Sequence, residues 1–210
     1  IEAVNGRLAP SLGTCMVMGT ASTMACITEA LGLSLPMSAT IPAPHAERFR
    51  SAEASGKVAA AMAKAKGPRP SEFLTAASFR NAQVVLQAIG GSTNGLIHLT
   101  AIANRTKHRV DLEAFDKLGR EVPVLIDLKP SGEHYMEHFH HAGGLPKLMA
   151  QLGDLIDLDA KTITGATLRD VVAGAEEVPG QDAIRPRDNP IKPEGAMAVL
   201  HGNLAPRGAV

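Results

Sequence analysis

A glycine-bounded turn that carries a cysteine and runs straight into a helix constrains this sequence most. Residues 13–24 read G-T-C-M-V-M-G-T-A-S-T-M. Apolar residues then recur at helical spacing, which predicts a helix from about Thr20 to Leu31 that ends at Gly32. Cys15 precedes its N-terminus, where free N–H groups and the helix dipole favour an anion. A thiolate there is both a nucleophile and a soft-metal ligand, although spacing alone is equally compatible with a small buried residue.

A second glycine-rich segment, Gly90-Gly91-Ser92-Thr93-Asn94-Gly95, separates two predicted helices at about 76–89 and 96–106. Consecutive glycines before Ser and Thr at a helix start can form a nest of N–H groups for a carboxylate or phosphate. The alternative is an ordinary helix–helix turn capped by Thr or Asn. The residues leave both interpretations open.

The remaining pattern predicts an α/β fold with helices around a parallel sheet. Residues 122–128 form a short apolar run with Pro123 near its start, which is typical of a strand, and strands set between helices favour a parallel sheet covered on both faces. Residues 178–194 are rich in Pro, Asp and Arg and predict a surface linker, after which 196–200 return as a strand. Further helices are predicted at about 44–66, 111–118, 135–152 (two helices split by Gly143-Gly144) and 167–173.

Four histidines, His134, His138, His140 and His141, raise the question of a metal site. His134 and His138 have helical i, i+4 spacing, but the zinc-protease pattern requires Glu directly after the first His, and Tyr135 stands there. We therefore expect no native metal in this histidine cluster.

Four other residues have structural interpretations beside functional ones. Cys26 falls on the first helix and is expected in the core, and His98 is expected to be packed and hydrogen-bonded. Asp127 and Lys129 end the predicted strand, where α/β proteins place functional groups, and a structural ion pair is an equal alternative.

Composition excludes several classes of protein. The 210 residues carry 21 Lys and Arg against 21 Asp and Glu, so no basic excess exists to neutralise a nucleic acid. No apolar run reaches the roughly 20 residues that cross a bilayer, and no signal peptide is visible. Two cysteines make no disulfide framework, which favours a reducing, cytoplasmic location.

Four ordered blocks resemble the dihydroxy-acid dehydratase and sugar-acid (aldonate, 6-phosphogluconate) dehydratase family. They are G-T-C-x-x-M-G-T-A-S-T-M with E-A-L-G-L-S-L-P at 29–36, G-G-S-T-N at 90–94 with H-L and A-I-A at 98–103, D-L-K-P-S-G at 127–132, and M-A-V-L-H-G-N-L-A-P at 197–206. The resemblance spans essentially the whole chain.

The resemblance implies a hydro-lyase that dehydrates a 2,3-dihydroxy carboxylic acid to a 2-keto acid. Such enzymes use an iron–sulfur cluster, of 2Fe–2S or 4Fe–4S type, as a Lewis acid, together with Mg²⁺. It implies that Cys15 is one cluster ligand, and we assign Ser92 and Thr93 to substrate binding. The other cluster cysteines and most magnesium ligands are expected upstream of Ile1, with one acid and the serine base beyond Val210.

Substrate and assembly are also expectations of the resemblance. Gly19-Thr20-Ala21-Ser22-Thr23 favours a sugar acid, which would give a 2-keto-3-deoxy acid. The alternative is the dihydroxy-acid dehydratase of branched-chain amino-acid synthesis, and an alternative of another class is a non-catalytic homologue or interaction module. Family members form homodimers or homotetramers. The chain is expected to be an interior piece of a longer protein, inactive by itself.

The same resemblance divides the chain into three parts. Residues 1–177 are expected to be the second half of an N-terminal α/β iron–sulfur domain, 178–195 a linker, and 196–210 the first strands of a β-barrel-like C-terminal domain.

Overall fold

The computed structural model describes residues 16–210, most of which lie in helices and the loops between them. We number the α-helices of this part in chain order, and a 3₁₀ turn at Gly153–Leu155 follows α8. Their bounds are α1 Thr20–Ala30, α2 Ala46–Ala65, α3 Pro70–Phe73, α4 Ala76–Ala88, α5 Asn94–Ala103, α6 Leu112–Gly119, α7 Met136–His141, α8 Gly144–Leu152 and α9 Leu168–Ala173.

Local capping explains where several of these helices begin. Thr75 accepts a hydrogen bond from Ser78 N, and the Ser78 hydroxyl accepts one from Thr75 N, which is a capping box at the start of α4. Asp111 caps α6 by accepting from Ala114 N, and Thr167 forms a second capping box with Asp170. The predicted helices are confirmed, with ends that differ by a few residues.

The core forms where α1 packs against α4 and α5. Phe79, Val84, Val85 and Leu86 of α4, together with Ile89 at its C-cap, are all at most 2% exposed. Cys26 on α1 is completely buried, as expected. None of the helices that the structure describes is both long and apolar enough to span a bilayer.

The predicted parallel sheet is wrong for residues 16–210, where the structure contains isolated bridges and no sheet. Residues 122–128 are extended and largely buried, but Val124 and Ile126 pair antiparallel with Lys192 and Ile184. The partner segment contains Pro186, Pro190 and Pro193, which lack the N–H that a continuous ladder needs. The coarse α/β character remains, with helices packed around one extended segment.

Residues 178–194 lie along the extended segment, and Ala183 and Ile184 are buried there. In residues 196–210 one bridge joins Leu200 to Ala209. The linker, the domain boundaries and the barrel therefore stay predictions.

Helix α2 is largely exposed to solvent. None of its 20 residues is buried, and Phe49 is 80% exposed. The guanidinium of Arg48 donates to the carbonyls of Ser38 and Ile41, which fastens the first turn of α2 to the preceding loop.

A buried carboxyl on α1 holds that same loop. Glu29 is 3% exposed, its Oε1 accepts from Met37 N at 2.8 Å, and its Oε2 accepts from Ala39 N at 2.8 Å. Burial raises the pKa of Glu29 to about 7, against the opposing effect of the two backbone N–H donors.

The first prediction concerns the pH dependence of stability. Because folding raises the pKa of Glu29 from 4.5 to about 7, its contribution is most favourable below pH 4.5 and is lost as pH rises through about 7. Relative to Glu29→Gln, the full-length protein should lose about 3 kcal/mol of unfolding free energy across that window. Chemical unfolding of both proteins at several pH values checks this, and a difference that does not change with pH would contradict it.

Candidate functional site

The segment that follows Cys15 is fixed by backbone hydrogen bonds to a loop more than 110 residues away in the chain. Met18 N donates to Lys129 O at 2.8 Å, and Met136 N donates to Met16 O at 2.8 Å. Gly19 then serves as the N-cap of α1 without a side-chain cap. Residues 16–19 are thus held between the N-terminus of α1 and the loop at 127–135.

Polar side chains join the first turn of α1 to the glycine-rich loop at 90–95. Thr23 Oγ1 accepts from Ser92 N at 3.0 Å, and the Thr20 and Ser92 hydroxyls are 3.2 Å apart. Asn94 Nδ2 donates to Thr20 Oγ1 at 2.9 Å. These contacts gather two hydroxyls and an amide beside the start of α1.

Two glycines let this loop lie directly on α1. A Cβ on Gly91 would stand 2.8 Å from Thr23 Cγ2 and 2.9 Å from Leu86 Cδ1. A Cβ on Gly95 would meet the same two atoms at the same distances. These distances are shorter than real Cβ contacts, so packing against Thr23 and Leu86 requires glycine at both positions.

The loop at 127–135 is organised around Asp127. Its Oδ1 accepts from Glu133 N at 2.8 Å, and its Oδ2 lies 3.6 Å from Arg185 Nη2. A Cβ on Gly132 would stand 2.2 Å from Asp127 Oδ1, so this turn has no room for a side chain at position 132. Asp127 therefore has a structural role here, and its ion-pair partner is Arg185.

Lys129, the other charged residue at the end of the predicted strand, lies against Tyr135. Its Nζ donates to the Tyr135 hydroxyl at 3.1 Å and lies 4.4 Å from the ring centroid. Lys129 is thus held beside the backbone that anchors Met18.

The predicted site residues divide into described and undescribed ones. Cys15 lies outside the described residues, so its assignment stays a prediction. Ser92 is half-buried and Thr93 is exposed, and both stand at the N-terminus of α5, next to the start of α1.

The structure favours the ordinary helix–helix turn over the anion nest at residues 90–95. The N–H groups of Gly90 and Gly91 donate to carbonyls of α4, Ser92 N donates to Thr23, Asn94 N donates to the Ser92 hydroxyl, and Gly95 N donates to Ser92 O. These donors are used inside the protein. Five of the six N–H groups of residues 90–95 are thus hydrogen-bonded within the protein.

The expected cofactors find no complete donor set within residues 16–210. Cys26 is the thiol in that range, and burial raises its pKa far above the ordinary range, so it is inert as a ligand. Mg²⁺ requires oxygen ligands. The three-residue group in this range that could hold an ion contains two imidazoles, which suit other metals.

The four histidines do not form one cluster. His134 Nε2 lies 3.0 Å from Asp182 Oδ1, and its ring meets that of His138 edge to face at 5.3 Å. His140 faces Thr40 and Glu47 instead. His98 is exposed, so its expected packing is wrong.

With this geometry in view, comparison with known proteins shows what the chain resembles. The family model described as dihydroxy-acid/6-phosphogluconate dehydratase N-terminal matches residues 1–171. The chain belongs to this family.

Individual relatives agree with the family model. A dihydroxy-acid dehydratase of Rippkaea orientalis is 43% identical over 212 residues, covering 99% of this chain and 38% of the relative. One from Acetivibrio thermocellus is 41% identical over 206 residues, covering 97% and 37%. A putative dehydratase IlvD1 of Rhizobium meliloti is 42% identical over 208 residues, covering 99% and 36%. The chain thus spans less than two fifths of the length of these relatives.

The second prediction tests the contact between the glycine-rich loop and α1. Gly91→Ala should lower the unfolding free energy of the full-length protein by about 1–3 kcal/mol, because the new methyl group meets buried side chains. Adding Thr23→Ser, which removes the Cγ2 methyl and keeps the hydroxyl, should restore part of the loss. Thermal unfolding of the single and double variants is the measurement.

The control for this prediction is Gly56→Ala on α2. A Cβ on Gly56 meets nothing within 4 Å, so alanine should be neutral or add about 0.5–1 kcal/mol through helix propensity. A harmless Gly91→Ala, or an equally harmful Gly56→Ala, would contradict the role of the loop contact.

Proposed function

We propose that this chain is part of a hydro-lyase that removes water from a 2,3-dihydroxy carboxylic acid to give a 2-keto acid. The observation that carries the proposal is membership of the dehydratase family over residues 1–171. Relatives named dihydroxy-acid dehydratase, at 41–43% identity over nearly the whole chain, support the same reaction. Residues from three of the family-like blocks, 16–24, 90–94 and 127–132, are hydrogen-bonded to one another at the start of α1, which supports the proposal.

The chain's own contribution is to position the strip of backbone after Cys15. Two long-range hydrogen bonds hold residues 16–18, and the first turn of α1 is fixed by Thr20 and Thr23. Residues 16–18, which directly follow position 15 in the sequence, are therefore anchored to a distant loop. Such an anchor is what a metal-ligating or reacting group requires.

We assign Ser92 and Thr93 to substrate recognition. Their hydroxyls stand at the same helix start, and a dihydroxy acid presents hydroxyl and carboxylate oxygens that hydroxyls and amides can bind. Thr93 is exposed and no side-chain hydrogen bond caps α5 from it. Asn94 is exposed beside it and already donates to Thr20.

The cofactors of the proposal are an iron–sulfur cluster, for which Cys15 would be one ligand, and Mg²⁺. When bound, such a cluster supplies an open iron that acts as a Lewis acid. Because clusters are commonly held by several thiolates and Cys26 is sealed in the core, the described part of this chain cannot complete the ligand set. The proposal therefore concerns the full-length protein, as a homodimer or homotetramer in the cytoplasm.

The substrate is the finer part of the proposal. The sequence of α1 favours a sugar acid, whereas the relatives named above favour a dihydroxy acid of the kind their names state. A panel containing aldonates and 2,3-dihydroxyisovalerate separates the two. Keto-acid formation from one of them defines the substrate class.

The third prediction compares the two cysteines. Cys15→Ser should abolish keto-acid formation by the anaerobically purified full-length protein and remove or weaken its visible cluster absorption. Cys26→Ala should keep both, because Cys26 is buried and has no exposed sulfur. Trapping the product with semicarbazide and measuring iron per chain are the readouts.

Two outcomes would contradict this proposal. A Cys15→Ser protein with full iron and full activity would remove Cys15 from the site. A wild-type protein that holds its cluster but acts on no acid in the panel would favour the non-catalytic homologue.

The fourth prediction tests substrate binding. Thr93→Val should raise KM about fivefold or more while leaving the cluster absorption intact, since one hydrogen bond of about 1 kcal/mol is lost. Thr100→Val is the matched control, because the Thr100 hydroxyl donates to Leu96 O on the same helix. Equal KM values in both variants would exclude Thr93 from substrate recognition.

A further inference from the structure

We propose that His45, Glu47 and His140 form a binding site for one divalent transition-metal ion of the Zn²⁺ type, which fastens the start of α2 to α7. This site is separate from the iron–sulfur and magnesium chemistry proposed above and does not depend on it. Its three ligand atoms all lie within 4.8 Å of one another.

The three side chains come from two parts of the fold. His45 is the N-cap of α2, Glu47 lies in the first turn of that helix, and His140 lies near the end of α7. His140 Nε2 is 3.2 Å from Glu47 Oε2. Because His140 lies more than 90 residues after His45 and Glu47, the tertiary fold is needed to bring it to the other two.

The central ligand, His140, is already oriented. It is 8% exposed, and its Nδ1 lies 3.1 Å from the buried hydroxyl of Thr40, which directs Nε2 toward Glu47. Gly144 makes this approach possible, because a Cβ there would stand 2.7 Å from Thr40 Oγ1. Metal-binding histidines in proteins characteristically have their second ring nitrogen fixed in this way.

The electrostatics also suit a metal. Burial lowers the pKa of His140, with Glu47 acting in the opposite direction. Arg50 lies 3.8 Å from Glu47 in an exposed pair, which is too weak to hold the carboxylate away from an ion. The ring of His141 stacks on that of His45, with the ring centroids 5.5 Å apart.

Only modest movement is needed to complete the geometry. Tetrahedral Zn²⁺ at about 2.0–2.1 Å from each ligand places those ligands about 3.3 Å apart. Glu47 is exposed and His45 is half-buried, so both can rotate inward while His140 stays in place. Two imidazoles with one carboxylate select borderline ions such as Zn²⁺ over Mg²⁺ or Ca²⁺.

The structural consequence falls on α2. This helix has no buried residue, and Arg48 fastens it only to the loop before it. A metal bridge from its first turn to α7 would tie it to the core through a short, strong connection. An ion that binds only the folded state also stabilises it, by an amount that rises with the logarithm of the ion concentration above the dissociation constant.

The experiment compares variants of the tag-free full-length protein, so that ions bound by cysteines elsewhere in the protein are common to all of them. Zn²⁺ is titrated against a chromophoric chelator, and the thermal midpoint is measured with and without Zn²⁺. Glu47→Gln and His45→Gln remove ligands at positions where loss of the side chain leaves the core intact. Glu53→Gln on the same helix and His98→Gln on α5 are the matched controls, since both residues are exposed and outside the cluster.

We expect the parent protein to bind one Zn²⁺ that both ligand variants bind at least tenfold more weakly, and we expect its rise in thermal midpoint to disappear in them. The two controls should behave as the parent. Unchanged Zn²⁺ affinity in Glu47→Gln and His45→Gln, or equal losses in the controls, would overturn the site. Neither result bears on the dehydratase proposal, because no readout is enzymatic.

Discussion

The seating of the glycine-rich loop on the first turn of α1 is the contact on which the rest of this structure depends. Thr23 accepts the Ser92 N–H, and Gly91 and Gly95 let the backbone approach its methyl group and Leu86. Helices α1, α4 and α5 pack against one another in the core, so the contact that holds the loop is also part of the packing between these helices. The position of residues 90–95 and the core packing are therefore supported by one set of atoms, and a change that relaxes either one disturbs the other.

The sequence predicts the helices well because their signals are local. The capping partners Thr75 and Ser78, and likewise Asp111 and Ala114, lie three positions apart, so a short stretch of sequence contains both partners of each cap. The pairing of the extended segment at 122–128 is harder to predict, because an apolar run indicates that a segment is buried but not which segment it pairs with. Its hydrogen bonds go to a Pro-containing segment some 60 residues later and, through Leu125 N, to the Ala88 carbonyl at the end of α4. The sequence favours a parallel sheet, and the antiparallel bridges of Val124 and Ile126 become evident only in the three-dimensional structure.

The candidate site shows the same division. Its residues were identifiable as three motifs, and the fold brings them together at one helix start. The use of each polar group could not be predicted, because Thr23 takes the N–H of Ser92 across a sequence separation of 69 residues. For the histidines, i, i+4 spacing pointed to His134 and His138, whereas the convergent set draws on His45 and Glu47, about 90 residues before His140. Sequence spacing identifies ligands on one helix but not ligands shared between helices.

Helix α1 connects these two regions through its opposite ends. Its N-terminal turn holds residues 16–19 and the glycine-rich loop, while Glu29 near its C-terminus holds Met37 and Ala39. Thr40 directly follows Ala39 in this loop, and its hydroxyl contacts His140 Nδ1. Burying a carboxyl costs free energy, which the hydrogen bonds from Met37 N and Ala39 N partly offset, and these bonds fix the loop between α1 and α2. The loop that leads into α2 is therefore held by the same helix whose N-terminal turn holds residues 16–19.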